Sequence, residues 1–361
     1  MRTILALALA TASLALAPRA SAQAPEIEVK EVAETGSMPK GAVLSPDGKR
    51  FYVTNFGMAN GHNITVYDAT TLALVDTIYL PGITVECLLS HDGATIYASN
   101  FARDSVQVVD VRTHHVKREI DVGMHPKILA LGADEKTLFA ANWNGNSVTQ
   151  IDLPSGRVVT TLDAGSHPRG MALTRAGQLY VANFDGASID VFDPPPEGQK
   201  RYHWATRLAI CPIPRHLALS PDDRTLYVSC YHDSALAALD LATWKVVHTV
   251  PIGKNPKAIA VSGDGRYVYS ADYGEESHSV SVVDTTDWRA RVFVVPGMDR
   301  GSGIAVEPDG TRALVTGWFD NHVYLVGFTG PGGHPREALD KIETWVHHRH
   351  WHKVEAKSGG S

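Results

Sequence analysis

Five basic side chains stand directly after a proline at positions that repeat along the chain. The last four members of the set are separated by 42, 46 and 42 residues. Residues that recur at one interval take equivalent places in a repeating fold, so these cations are expected near one point. A ring of cations would attract an anionic ligand and hold it by charge-assisted hydrogen bonds. The alternative is that each cation only pairs with a nearby aspartate. The five are Lys40, Lys127, Arg169, Arg215 and Lys257.

The repeat extends over residues 36–330 and occurs in seven copies. Each copy contains four short runs rich in β-branched and aromatic residues, bounded by turns such as SPDG at 45–48. Such runs are typical of β-strands. Four antiparallel strands recurring every 42 to 46 residues are the period of a propeller blade. The sequence therefore predicts an all-β, seven-bladed β-propeller.

The seventh copy lacks its fourth strand, because Gly-Pro-Gly-Gly follows the run HVYLVGF at 322–328. A strand-like segment, IEVKEVAET at 27–35, precedes the first copy. We expect this N-terminal strand to complete the last blade, which would close the ring and leave no open edge between its ends.

The segments FYVTN (51–55), LYVAN (179–183) and LYVSC (226–230) follow Gly-x-x-Pro or related motifs and SPDG-type turns. They resemble the YVTN repeat of bacterial and archaeal extracytoplasmic seven-bladed propellers. The resemblance covers nearly all of the chain after its N-terminal segment, and it implies the same fold and location. Because this scaffold serves surface-layer, periplasmic-binding and enzyme-associated proteins, the resemblance implies no single function and assigns no ligand residue.

Every copy ends its second strand with an aromatic residue. These side chains could fill the wedge-shaped gaps between blades, or they could form a rim that stacks on a ring-bearing ligand beside the cations. The seven are Phe56, Phe101, Trp143, Phe184, Tyr231, Tyr273 and Trp318. For ligand contact we single out Trp143, Phe184, Tyr231 and Trp318.

Four residues interrupt the repeat with groups that could do chemistry. Glu86 and His216 occupy an inner-strand position that is Gly, Ile or Ala in the other copies. They are either mutually satisfied structural groups or a candidate acid and base. His125 and His167 share one register in adjacent blades, where they could contribute to a copper or zinc site; solvated loop histidines are the alternative.

The chain has three cysteines. Cys211 and Cys230 fall on neighbouring strands of one predicted blade, so a disulfide between them is possible in an oxidising compartment. Cys87 lies in an apolar inner strand and is predicted to be part of the core.

The two ends of the chain differ from the repeats. Residues 1–22 combine Arg2, an apolar stretch at 4–17 and an Ala-x-Ala site ending at Ala22, a pattern that predicts a cleaved signal peptide. Residues 331–361 read as a linker, an amphipathic His-rich helix at 335–353 and a disordered end. The propeller domain is thus expected to span residues 23–330.

A formal charge of -6 and the lack of a basic block in the body of the chain argue against nucleic acid as a partner. No further apolar stretch is long enough to predict a membrane span. The motifs GxSxG, HExxH, GxxxxGK[ST] and GxGxxG are absent, although a propeller active site can be assembled from scattered loops.

The sequence therefore predicts a periplasmic or secreted propeller that binds a small anionic ligand, or another exported protein, at the mouth of its central channel. One alternative is an enzyme, either a hydrolase, a lyase or a metal-dependent oxidoreductase, that uses Glu86, His216 and the mouth histidines. A second alternative is a pure interaction scaffold. The sequence leaves the cofactor open, with copper or zinc as the candidate metal.

Overall fold

β-Strands form wherever the repeat predicts them. The computed structural model of the protein describes residues 26–275 and 277–329, which contain twenty-eight strands and no helix. The strands form seven four-stranded antiparallel sheets, and each sheet is one blade. The predicted seven-bladed propeller is confirmed. The predicted signal peptide and C-terminal helix lie outside the described residues.

The first strand and blades 1 to 3 come first in the chain. Their strands are β1 (Glu26–Glu34), β2 (Pro39–Leu44), β3 (Arg50–Asn55), β4 (Ile64–Asp68), β5 (Leu74–Ile78), β6 (Thr84–Leu89), β7 (Thr95–Asn100), β8 (Ser105–Asp110), β9 (Val116–Asp121), β10 (Pro126–Leu131), β11 (Thr137–Asn142), β12 (Ser147–Asp152) and β13 (Arg157–Asp163). Blade 1 is β2–β5, blade 2 is β6–β9 and blade 3 is β10–β13.

Blades 4 to 7 follow in the same order. Their strands are β14 (Pro168–Leu173), β15 (Leu179–Asn183), β16 (Ser188–Asp193), β17 (His203–Leu208), β18 (Pro214–Leu219), β19 (Thr225–Cys230), β20 (Ala235–Asp240), β21 (Lys245–Pro251), β22 (Pro256–Val261), β23 (Tyr267–Asp272), β24 (Ser279–Asp284), β25 (Arg289–Val294), β26 (Gly301–Val306), β27 (Arg312–Gly317) and β28 (His322–Thr329).

The ring closes in blade 7, where the strand order is β1-β28-β27-β26. The antiparallel register runs from Glu26 opposite Thr329 to Glu34 opposite His322, with a bulge between Val29 and Glu31. The N-terminal strand thus supplies the strand that the seventh repeat lacks, as predicted. Backbone hydrogen bonds between the two ends of the ring hold the first and last parts of the propeller together.

The hydrophobic core lies between neighbouring blades. One cluster joins Tyr269 and Val280 of blade 6 to Ile304 and Tyr324 of blade 7, and similar clusters occupy other gaps between blades. Each blade therefore buries its apolar faces against the next one, as expected for a repeat that cannot form a core alone. The largest completely buried aromatic side chains are Tyr67, Tyr180, Tyr269, Phe51, Phe139 and Phe192.

The seven aromatic residues that follow the second strands are only half-buried. They are not the side chains that fill the gaps between blades, because the fully buried set contains none of them. Their position is described with the channel below.

Each of the seven inner strands has an irregular register just after its first residue. In β10, Pro126 lies opposite Asn142, but the next pair is Leu129 opposite Ala140, so β10 contains one extra residue. Such a β-bulge leaves the ladder locally unpaired and turns side chains in a new direction. The residues in the bulge are those that line the central channel.

A hydroxyl on the second strand replaces the lost ladder bond in four blades. In blade 1, the Gly41 amide donates to Thr54 Oγ1 at 2.8 Å, and Thr54 Oγ1 donates to the Val85 carbonyl of blade 2 at 2.7 Å. The equivalent hydroxyls belong to Ser99, Ser229 and Thr316. These hydroxyls satisfy the bulge and also connect adjacent blades.

The last position of the second strand packs closely against the loop that enters the same blade. In four blades an asparagine lies against a glycine, and a Cβ on that glycine would overlap the asparagine side chain. The pairs are Gly36–Asn55, Gly82–Asn100, Gly123–Asn142 and Gly165–Asn183. Blade 6 places Asp272 against Gly253 instead.

In blade 5 the same two positions are cysteines. Cys211 and Cys230 form a disulfide, and their Cα atoms are 5.9 Å apart. The covalent bond therefore takes the place of the glycine–asparagine contact. Cys87 is a free thiol that is buried in the core between blades 1 and 2, and burial raises its pKa above the usual range.

Asp272 is fully buried and accepts hydrogen bonds from Ser270, Ser279 and Ser281 at 3.0, 2.8 and 2.7 Å. Burial raises its pKa to about 7, although the serine hydroxyls oppose this shift. An unfolded aspartate has a pKa of about 3.9. Because the folded value is higher, the contribution of Asp272 to stability is fully present below about pH 4 and is lost as the pH rises through 7.

We expect Asp272→Asn, which introduces the residue used by four other blades, to raise the melting temperature by several degrees at pH 8. At pH 4 the difference should be small, because Asp272 is then protonated in the folded state and about half protonated in the unfolded state. Thermal melts at the two pH values measure this. Asp110→Asn is the matched control: hydrogen bonds from Lys117 and Thr113 lower the pKa of Asp110, so this variant should lose stability at pH 8. An Asp272→Asn variant that is less stable than the parent at pH 8 would contradict the assignment.

Candidate anion site in the central channel

The five basic residues that the repeat singles out line one cavity on the propeller axis. The cavity has a volume of about 20 Å³, which is room for about one water molecule. Its wall also contains Glu86, His216 and Ser302. We call Lys40, Lys127, Arg169, Arg215 and Lys257 the cation cluster.

The bulges of the inner strands explain why these side chains meet. In five of the seven inner strands the two residues after the first one leave the regular ladder, so two consecutive side chains can face the axis. Lys127 and Ile128 show this in blade 3, as do Arg215 and His216 in blade 5, since all four line the cavity. The sequence repeat therefore becomes a ring of side chains around a narrow channel.

The cation cluster is buried with little opposite charge. Lys40, Arg215 and Lys257 are 6%, 7% and 5% exposed, and Lys127 and Arg169 are half-buried. Among the described residues, Glu86 is the single carboxylate on the cavity wall. Within residues 26–275 and 277–329, no member of the cluster has a carboxylate oxygen within 4.0 Å. The cations therefore do not pair with the aspartates of the turns.

Burial and mutual repulsion disfavour the charged forms of the three lysines. Both effects hold the pKa of Lys40 and of Lys257 well below the usual range, and they lower the pKa of Lys127 to about 5. Burial also lowers the pKa of Arg169 to about 10, which leaves its guanidinium charged at neutral pH. An anion placed among these groups would relieve the repulsion and favour the charged lysines.

The seven half-buried aromatic residues surround the cation cluster, and we call them the aromatic rim. Lys127 Nζ lies 3.4 Å from the ring centre of Trp143, and Lys257 Nζ lies 3.9 Å from that of Trp318. The guanidinium of Arg215 is 4.6 Å from the ring centre of Tyr231. Ring faces attract cations, so the rim partly balances the charge of the cluster.

Neighbouring rim residues also contact one another. The ring centres of Phe56 and Phe101 are 5.6 Å apart, and those of Trp143 and Phe184 are 5.3 Å apart. Because the protein's own cations already lie on the ring faces, the rim needs no external ring to complete its contacts. The aromatic residues that recur at this position of the repeat thus have a third role besides gap filling and ligand stacking, which is to contact the basic side chains of the cluster.

One fully buried polar atom of the cluster has no partner among the described residues. Arg215 Nε makes no hydrogen bond there, and the side chain is 7% exposed. By contrast, Lys257 Nζ donates to Ser302 Oγ at 2.5 Å. A buried donor without a partner costs about 1–3 kcal/mol. An acceptor atom that enters the cavity would remove this cost.

Glu86 and His216 both line the channel, but no hydrogen bond joins them in the described part of the chain. A Cβ on Gly41 would collide with the Glu86 carboxylate, so the glycine of blade 1 makes room for it. Burial raises the pKa of Glu86, and the cations oppose this shift.

His216 Nδ1 accepts a long hydrogen bond from the Ile259 amide at 3.5 Å. Burial and the nearby Arg169 and Arg215 lower its pKa to about 4, which keeps the ring neutral.

His125 and His167 lie at the rim and have different partners. The His125 ring stacks on Phe101 with centres 4.1 Å apart, while His167 Nδ1 lies 2.8 Å from Asp185 Oδ2. Both have a positive φ, of 56° and 53°. Across the described ranges, no three His, Cys, Asp or Glu side chains are grouped closely enough to hold a metal ion. A copper or zinc site at these histidines therefore lacks a third protein ligand there.

Two features of the site were not foreseen from the sequence. Ser302 takes the place of a cation in blade 7 and holds Lys257, and the bulges decide where the cations point. The hydroxyl residue at the fourth position of segments such as FYVTN (51–55) could have indicated the bulges. The hydroxyls of Thr54, Ser99, Ser229 and Thr316 each accept a hydrogen bond from the bulged backbone.

The arrangement of blades and channel is that of a seven-bladed β-propeller. The hydrazine synthase of Kuenenia stuttgartiensis contains a chain of similar fold, with a TM-score of 0.69 and 20% sequence identity over 82% of this chain and 97% of that one. At this identity the likeness shows the fold alone.

In sequence, the chain is 28% identical to antigen Lp49 of Leptospira interrogans over 113 residues, which is 30% of this chain. The match spans a quarter of the length of Lp49 (25%). No protein-family model matches the chain. The YVTN resemblance thus remains a likeness of repeat motifs.

No helix in the described part of the chain has the length and apolar character needed to cross a membrane.

We expect Lys127→Met to raise the melting temperature at pH 7. The folded pKa of about 5 lies below the unfolded value of about 10.4, so the contribution of Lys127 to stability is present above about pH 10 and is lost as the pH falls toward 5. The gain from Lys127→Met should therefore shrink as the pH approaches 10. Melting curves at pH 7 and 10 test this, with exposed Lys245→Met as the control. An equal loss of stability at both pH values would show that Lys127 is not repelled by its neighbours.

Proposed function

We propose that the protein binds a small anion, of the carboxylate or oxyanion class, on the cation cluster. The observation that carries the proposal is the imbalance of charge: five basic side chains and one carboxylate line a single buried cavity. Burying like charges is unfavourable unless a counter-charge is supplied. A protein that keeps such a cluster at the axis of its fold has a ready site for an anion.

The dimensions of the channel limit what can enter. A cavity of about 20 Å³ accepts one or two oxygen atoms of an anionic group and not a whole ligand. The rest of the ligand would remain between Lys127, Arg169 and the aromatic rim, where the side chains are half-buried and not completely buried. The unpaired Arg215 Nε provides a donor inside the cavity. The ligand class is therefore a compact acid with its charged group at one end.

Arg169→Gln combined with Arg215→Gln should weaken anion binding by about 100-fold or more, since each charge-assisted hydrogen bond contributes about 1.5–3 kcal/mol. Isothermal titration calorimetry with acetate, lactate and sulfate measures the effect. Arg224→Gln is the matched control, because the Arg224 side chain is 85% exposed and far from the cavity wall.

Glu86→Gln tests the same site in the opposite direction. Removing the one carboxylate of the cavity wall should tighten anion binding, because the incoming anion no longer competes with Glu86 for the cations. If the parent binds none of the three anions, or if the double arginine variant binds them as the parent does, the cation cluster is not an anion site.

We also propose that the protein is located outside the cytoplasm. The disulfide between Cys211 and Cys230 supports this, because disulfides form and persist in oxidising compartments. The N-terminal pattern of residues 1–22 points the same way.

Expressed in an exporting bacterial host, the protein should be recovered from the periplasm or medium with Gln23 as its first residue. N-terminal sequencing and a thiol count on the unreduced protein check this; we expect one disulfide and one free thiol, Cys87. Recovery in the cytosol with Met1 retained and three free thiols would contradict the proposed location.

A further inference from the structure

The cation cluster contains two kinds of basic side chain, which respond differently to burial and to repulsion between neighbouring charges. Guanidinium groups stay protonated in proteins, whereas a lysine can release its proton and become a neutral amine. Arg169 and Arg215 therefore keep their charge, and the loss of charge falls on the lysines. A bound carboxylate would balance one of these two fixed charges and leave the other, so it would relieve the repulsion on the lysines only in part. A neutral lysine amine beside a fixed cation is a nucleophile toward carbonyl groups.

Of the three lysines, only Lys127 can be reached from the opening. Lys40 and Lys257 are 6% and 5% exposed, and the nitrogen of Lys257 is already engaged by Ser302. Lys127 is half-buried, and its Nζ lies over the face of Trp143 at 3.4 Å from the ring centre. The accessible amine is therefore also held in place.

A guanidinium lines the same cavity as this amine and contacts the same aromatic ring. The Arg169 guanidinium is 5.2 Å from the centre of the same Trp143 ring, and it also lies 5.7 Å from that of Phe184. Since both groups line one cavity of about 20 Å³, a small ligand that reaches both of them carries its carbonyl and its carboxylate close together. Among small acids, this is the arrangement found in 2-oxo acids.

We propose that Lys127 captures the carbonyl group of a small 2-oxo acid as an imine, while Arg169 and Arg215 hold the carboxylate of the same molecule. This inference rests on the proposed anion binding and names its ligand class. The Lys127 nitrogen attacks the carbonyl carbon, a carbon–nitrogen bond forms, and the two amine protons leave with the carbonyl oxygen as water. No oxidant or reductant takes part, and hydrolysis of the imine returns the free acid.

Pyruvate and lactate separate the two ideas, because lactate has the same carboxylate but no carbonyl group. The full-length exported protein is incubated with pyruvate and sodium borohydride, which reduces an imine to a stable amine. Intact mass and peptide mapping should then show one adduct per chain, on the peptide that contains Lys127. The same treatment with lactate should leave the mass unchanged, while calorimetry shows lactate bound.

Lys127→Arg removes the nucleophilic amine and puts a permanently charged group in its place, so it should abolish the pyruvate adduct, and lactate calorimetry then reports whether the anion site is still formed. Lys245→Arg changes an exposed lysine and should leave the adduct unchanged. Melting temperatures check that both variants are folded. Lactate binding without a pyruvate adduct would overturn the imine and leave the anion site in place. Failure of both acids to bind would overturn both proposals, and an adduct on Lys40, Lys257 or a surface lysine would overturn the role of Lys127.

Discussion

The channel of this propeller depends on the β-bulge that interrupts every inner strand just after its first residue. A regular strand alternates its side chains between two faces, so only every second residue could face a given direction. The extra residue breaks this alternation, and consecutive side chains such as Arg215 and His216 both line the cavity. The backbone groups that lose ladder bonds are satisfied in part by hydroxyls such as Thr54 Oγ1, which also bond the next blade. The same local irregularity thus builds the site and connects the ring.

The cluster that the bulges create is a cost to the fold. Lysines whose pKa values are held far below normal indicate that the folded state disfavours their charged forms. The aromatic rim offsets part of this cost by placing ring faces against the cations, as Trp143 does for Lys127. Sites that bind or react are commonly less stable than the fold could be without them. The unpaired Arg215 Nε belongs to the same pattern.

At other positions of the repeat, different blades use different residues for the same contact. The contact between the entering loop and the second strand is made by Gly–Asn pairs in four blades, by Gly253 and Asp272 in blade 6, and by a disulfide in blade 5. Each solution fills the same small space with a different chemistry. Since blades contact mainly their neighbours, one blade can change without disturbing the others. This explains how a regular scaffold can hold irregular residues such as Glu86.

The sequence by itself determined the number of blades, the closure by β1 and the equivalence of the basic positions, because each depends on the spacing of local patterns. It identified Lys40, Lys127, Arg169, Arg215 and Lys257, but it left open whether they pair with aspartates or face one another. Only the tertiary structure decided that they share one cavity, that Glu86 is its one carboxylate, and that the aromatic rim carries cations rather than filling the gaps between blades. The physical reason is that direction and burial are set by the bulges and by packing between blades, and neither leaves a period in the sequence.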